Sequence, residues 1–208
     1  MLAALDGFLL GASLIVAIGA QNAFVIRQGL LGRFVLWICL FCAVSDAILI
    51  WGGVYGLSAL TNVIPLFIPF MTYGGAGFLL WFGISAFRRA LRPNSIISEQ
   101  RDASSLRMAL LTCAGFTWLN PHVYLDTVIL LGSVANARPL EERTVFALGA
   151  SVTSFTWFFT IGLGAMALKP WLDRPRIWQA IDGIIAAIMV MLATKLLLAA
   201  PFGALHLF

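Results

Sequence analysis

The chain has 208 residues, 61% of them hydrophobic and only 11% charged, with a formal net charge of +4. A soluble domain is roughly 45–50% apolar and about 25% charged, so a water-soluble globule could not hide this surface and lipid must serve as the second solvent. The positive charge does not mark a nucleic-acid binder, because the arginines fall in short loops between apolar runs rather than along a continuous stripe.

Six apolar runs are each long enough to cross a hydrocarbon core about 30 Å thick. They cover approximately residues 5–28, 35–60, 64–87, 108–131, 145–168 and 178–198. Met1 to Asp6 holds no basic segment of the signal-peptide kind, so the first run is expected to stay as helix 1. The sequence therefore predicts an all-α integral membrane protein with a single transmembrane domain over 1–208.

Helix 1 is interrupted by Gln21 and Asn22, which follow the small pair Gly19-Ala20. Helix 2 carries Asp46 about eleven residues, or roughly 16 Å of rise, from its start. That is near mid-membrane, where a carboxylate costs about 2.5–3.5 kcal/mol on insertion scales. Cys39 and Cys42 form a C-x-x-C in the same run. No strand precedes it and no second pair supports a metal, so these thiols and Cys113 read as packing residues. Between helices 3 and 4 lies the longest polar stretch, a linker at about 88–107 with Arg88, Arg89, Arg92, Arg101 and Arg107, where Pro93 and Asn94 stop the preceding helix.

Helix 4 is interrupted at Asn120-Pro121. Proline lacks an N–H and clashes with the preceding turn, so a kink or break is expected there. Broken backbone at membrane depth is tolerated where it faces protein or a water-lined cavity. The freed backbone groups, with Gln21, Asn22 and Asn120, could then hydrogen-bond a substrate; interhelical adhesion is the plainer alternative. Asp126 follows six residues on. His122 could titrate or could hold a broken-helix carbonyl, and Tyr124 could offer its ring to a cation or belong to an interfacial aromatic belt. In helix 6, Asp182 is expected to pair with Arg176 or act as a cap, and Lys195 is the one base well inside an apolar run, able to snorkel outward. Asp6 reads as interfacial. Intramembrane charges usually face the bundle interior and mark ion or substrate paths. An acidic surplus there asks for an external cation.

With six spans, ten of the thirteen basic residues gather on one face: Arg27, Arg33, Arg88, Arg89, Arg92, Arg101, Arg107, Lys169, Arg174 and Arg176. The other face receives Arg138 and Arg143, with Lys195 near the end of helix 6. The rule that cytoplasmic loops are the basic ones then places both termini outside the cytoplasm. If helix 1 failed to span, five spans and a cytoplasmic N-terminus would result. The halves also echo one another. A shift of 106 residues sets Gly56-Leu57 on Gly162-Leu163, Ser45 on Ser151, Gly77 on Gly183 and Arg89 on Lys195, and a slightly smaller shift sets the helix 1 interruption on that of helix 4. Three spans per unit make the two copies inverted, as in many secondary transporters; repeat 1 is expected at about 1–92 and repeat 2 at about 105–208.

The stretches Gly19-Ala20-Gln21-Asn22-Ala23-Phe24-Val25, Ser45-Asp46, Gly74-Gly75-Ala76-Gly77-Phe78-Leu79-Leu80-Trp81 and Thr117-Trp118-Leu119-Asn120-Pro121-His122-Val123-Tyr124-Leu125-Asp126-Thr127 resemble the lysine/arginine exporter (LysE/ArgO) family of amino-acid efflux proteins, over nearly the whole chain. The resemblance implies export of basic amino acids across the bacterial cytoplasmic (inner) membrane. It places Gln21, Asn22, Asp46, Asn120, Tyr124 and Asp126 at the substrate, and Pro121 at the helix 4 break. Asp46, Asp126 and His122 are the candidates for coupling to protons. Ala20 departs from the family, many of whose members have proline there, and a softer helix 1 break is expected.

The expected partners are a basic amino acid, a proton or other coupling ion and lipid, with a homodimer left open. No nucleic acid, cofactor, metal or enzymatic constellation is expected. The rivals are an exporter of neutral amino acids (homoserine, threonine or leucine type), a divalent-metal exporter and a membrane assembly protein without transport.

Overall fold

The computed structural model describes residues 2–16, 19–91, 105–171 and 175–198, with residues 57–67 as backbone only. Arg92, Pro93, Asn94, Arg101, Arg174 and His206 lie outside the described residues. All regular structure among the described residues is helical. In chain order, α1 is Leu2–Ile15, α2 Ala20–Leu31, α3 Val35–Ala90 and α4 Leu106–Trp118. Next comes α5, which starts at Pro121–Val123, is wound as a π-helix over Tyr124–Leu131 and returns to α geometry at Gly132–Asn136. Then follow α6, Leu140–Leu168, and α7, Pro175–Leu198.

Local chemistry accounts for the ends. Gly32 closes α2 in the left-handed region (φ 67°), its N–H reaching back to the carbonyls of Gln28 and Gly29. Ser105 opens α4 by accepting from the Met108 amide at 3.3 Å. Glu141 and Glu142 sit in the first turn of α6, where the helix dipole favours negative charge.

Four helical stretches are long and apolar enough to span a membrane: Val35–Gly56, Ile68–Ala90, Leu140–Trp171 and Arg176–Leu198. The bent pair α1–α2 makes a fifth if it counts as one span. The predicted fourth span is divided between α4 and α5. The predicted gap at 61–63 is not a break, because helical backbone runs through it. Thr61, Asn62 and Val63 include neither glycine nor proline, so nothing in that triplet stops the helix. The expected softening of helix 1 is also not seen: α1 and α2 meet at 83°.

Hydrocarbon gives helices no reason to associate beyond packing and hydrogen bonds, so close approach depends on small residues. At one crossing Gly7 lies against Phe146 and Ala150, Gly11 against Thr153, and Gly149 of α6 against the backbone of Ala4. At another, Gly53 of α3 faces Val128 of the π-wound segment, and a Cβ on Gly132 would stand 2.6 Å from the Gly53 carbonyl oxygen. Gly149→Val is expected to lower stability by about 1–3 kcal/mol, the usual cost of overpacking. Thermal unfolding in detergent checks this, and an unchanged midpoint would show that α1 does not need this contact.

Buried apolar residues from α2, α3, α4, α6 and α7 form the main core. Within it Phe24, Phe82 and Phe116 pack with ring centroids 4.9–6.0 Å apart. The three cysteines are free and buried. Cys39 donates to the Phe158 carbonyl at 3.1 Å, and the Cys42 and Cys113 sulfurs are 3.1 Å apart.

Candidate functional site

Each helix break is held by a side chain on a carbonyl from the end of the preceding helix, a group that lacks an intrahelical partner. At the first, Gly19 is the extended N-cap of α2 (φ −118°, ψ 170°). Asn22 donates through Nδ2 to the Ile15 carbonyl at 2.9 Å, and its Oδ1 accepts from Trp157 Nε1 at 3.3 Å. At the second, Asn120 is the extended N-cap of α5 (φ −98°, ψ 107°), its Oδ1 accepts from the His122 amide, and Pro121 follows at the first helical position, where no N–H is required. Tyr124 donates its hydroxyl to the Trp118 carbonyl at 3.1 Å.

Between the breaks lies a cavity of about 300 Å³, at the small end of the roughly 300–1,000 Å³ usual for ligand sites. Gly19, Gln21, Asn22, Asp46, Asn120, His122 and Asp126 all line it. Pro121 is buried beside it, and Tyr124 is not among its lining residues. Asp46 is buried, and its Oδ2 accepts a hydrogen bond from Ser154 of α6 at 3.1 Å. Asp126 stands on the π-wound turn, an i→i+5 winding common at functional sites. Among the described residues, no lysine or arginine comes within 4.0 Å of either carboxylate. The Gln21 Nε2 is buried with no hydrogen-bond partner among the described residues.

Lys195 of α7 lines the same cavity. Along α2, Phe24 separates the cavity residues Gln21 and Asn22 from Arg27; along α3, Phe82 separates Phe78, which lines the cavity, from Arg89. Beyond this aromatic layer both arginines converge on Asp182 of α7. Its Oδ1 accepts from Arg27 Nε at 3.0 Å and from Arg89 Nε and Nη2 at 3.3 and 3.2 Å. The expected pairing of Asp182 with Arg176 is therefore replaced by a pair of arginines from the other half of the chain, and Arg27, expected at the basic end of helix 1, is a buried residue of α2. Asp6 forms an ion pair with Arg138 at 2.8 Å. The described residues hold no group of three or more His, Cys, Asp or Glu able to bind a metal.

Sequence reasoning missed Ser154 and Trp157. Their signal was weak: hydroxyls and indoles are ordinary in membrane helices, and only the run Ser151-Val152-Thr153-Ser154 stands out as polar.

Two interrupted helices around a small charged cavity, among helices apolar enough to span a membrane, fit a translocator. Residues 12–200 match the family model described as "LysE type translocator", and the chain belongs to that family. It is 42% identical over 193 residues to the "Arginine exporter protein ArgO" of Pectobacterium carotovorum subsp. carotovorum, covering 92% of this chain and 95% of that one. The protein of that name from Serratia proteamaculans is 40% identical, over 92% of this chain and 94% of its own. The "Putative amino-acid transporter YggA" of Aeromonas salmonicida is 42% identical with the same coverage. No solved structure matches the chain.

Proposed function

We propose that this protein exports basic L-amino acids, arginine foremost, from the bacterial cytoplasm by alternating access. One observation carries the reading: Asp46 and Asp126 share a cavity and neither is ion-paired within the described chain. A buried carboxylate without a resident cation favours a cationic guest. The names of the relatives point the same way. In this reading Gln21, Asn22, Asn120 and the backbone at the two breaks hold the substrate's polar groups. Tyr124 contributes by bracing the second break.

The single domain works as two inverted three-helix repeats, about 1–92 and 105–208, joined by a cytoplasmic linker at about 88–107. The paired breaks, each with its own carbonyl clamp, support this plan. Six spans put both termini outside the inner membrane. The Asp6–Arg138 pair, which sets the start of α1 beside the turn before α6, agrees with it. Exporting a cation from a negative-inside cell opposes the potential by about 2.3 kcal/mol per charge per 100 mV. Proton entry therefore drives uphill efflux, through Asp46 or Asp126, with His122 at the cavity wall as a third candidate.

The test is counterflow in proteoliposomes with labelled arginine, lysine, threonine and leucine, with and without a pH gradient. Arginine and lysine should be preferred about 10- to 100-fold, the worth of one charged hydrogen bond. Preference for threonine or leucine would make this an exporter of neutral amino acids, with the aspartates serving coupling alone.

A further inference from the structure

We propose that Lys195 recognises the α-carboxylate of the transported amino acid and so restricts the site to amino acids as opposed to simple cations. The inference rests on the reading of the cavity as a basic amino-acid site. Lys195 is the one lysine or arginine among the described residues lining the cavity. The other bases nearest in kind are engaged elsewhere: Arg27 and Arg89 hold Asp182, and Arg138 holds Asp6 and Glu142. Arg143 bonds Asn136 and the Arg138 carbonyl. Lys195 forms no ion pair within 4.0 Å of a described carboxylate, so neither Asp46 nor Asp126 neutralises it.

The charges of the cavity are the inverse of those of the guest. A basic amino acid carries two cations, the α-ammonium and the side chain, and one carboxylate. The cavity carries two carboxylates, Asp46 and Asp126, and one ammonium. Matching each group to its opposite pairs every charge at the cavity, whereas a cation lacking the carboxylate would leave Lys195, an exposed side chain on the cavity wall, without a counter-charge. Lys195 stands in the last turn of α7, and its flexible point charge suits a carboxylate that must bind and leave. Leu192 and Leu196, which line the cavity beside it, put Lys195 on the cavity-facing side of α7.

The experiment compares arginine with agmatine, which is arginine without its carboxylate, in counterflow by the reconstituted protein and by Lys195→Met and Lys195→Arg. The unaltered protein should prefer arginine by about 10- to 100-fold, the range for a charge-assisted hydrogen bond. In Lys195→Met that preference should collapse to less than about 3-fold as arginine falls to the level of agmatine, and Lys195→Arg should restore most of it. Equal losses for both compounds, or an undiminished preference, would overturn the proposal. So would an unaltered protein that takes agmatine as well as arginine, a result that needs no variant to fold. An unaltered protein that takes neither compound would instead overturn the basic amino-acid reading on which the proposal stands.

Discussion

Asp46→Asn is expected to abolish arginine export while leaving the amount of folded protein near normal. The substitution keeps the shape, and the amide oxygen can still accept the Ser154 hydrogen bond now made to Oδ2 at 3.1 Å. What disappears is the negative charge. A guest cation in the cavity would then be desolvated with half of its counter-charge gone, and breaking a buried charge pair from one side costs about 3–5 kcal/mol. That corresponds to on the order of 100-fold or more in transport. Initial rates of arginine counterflow in proteoliposomes, normalised to reconstituted protein, make the check, and a variant working at the normal rate would remove Asp46 from the mechanism.

Asp46 stood out in the sequence by its position, and in the structure it lines the cavity. A carboxylate far inside an apolar run is costly, and few bases were available to pair with it. Pro121 was equally legible, since its missing N–H acts through local covalent geometry alone. The 83° turn between α1 and α2 was read less well. The absence of proline at Ala20 suggested a gentle bend. At the far side of the turn Gly19 is extended and the Asn22 side chain reaches the Ile15 carbonyl, a contact seven residues apart that no local pattern announces. Tertiary partners were the least legible. Nothing near Asp182 points to Arg27, 155 positions away. Nor does anything near Gly149 point to the backbone of Ala4, because small residues at crossings look like any others in a chain rich in glycine and alanine.

The pairing at Asp182 supports a second large effect. Asp182→Ala is expected to cost about 3–5 kcal/mol, because both guanidiniums lose their shared carboxylate in a nearly dry setting. Asp182 is 3% exposed and Arg27 6%, so water does little to replace what is lost. The carboxylate ties α2 and the end of α3, both from the first half of the chain, to α7 of the second. Arg89 also lies over the Phe82 ring, 5.7 Å from its centroid, which couples the ionic cluster to the aromatic layer beneath the cavity. For a chain of this size such a loss lowers the unfolding midpoint by on the order of 10 °C, read by thermal unfolding in detergent. A midpoint within about 2 °C of the unaltered protein would mean that the two halves are held at this end by apolar packing alone. The same cluster refines the charge argument for orientation. Arg27 is buried and Arg89 half-buried, both on Asp182, yet setting them aside leaves eight of the ten basic residues of the predicted cytoplasmic face against three. The orientation proposed from the charge asymmetry therefore does not depend on these two arginines.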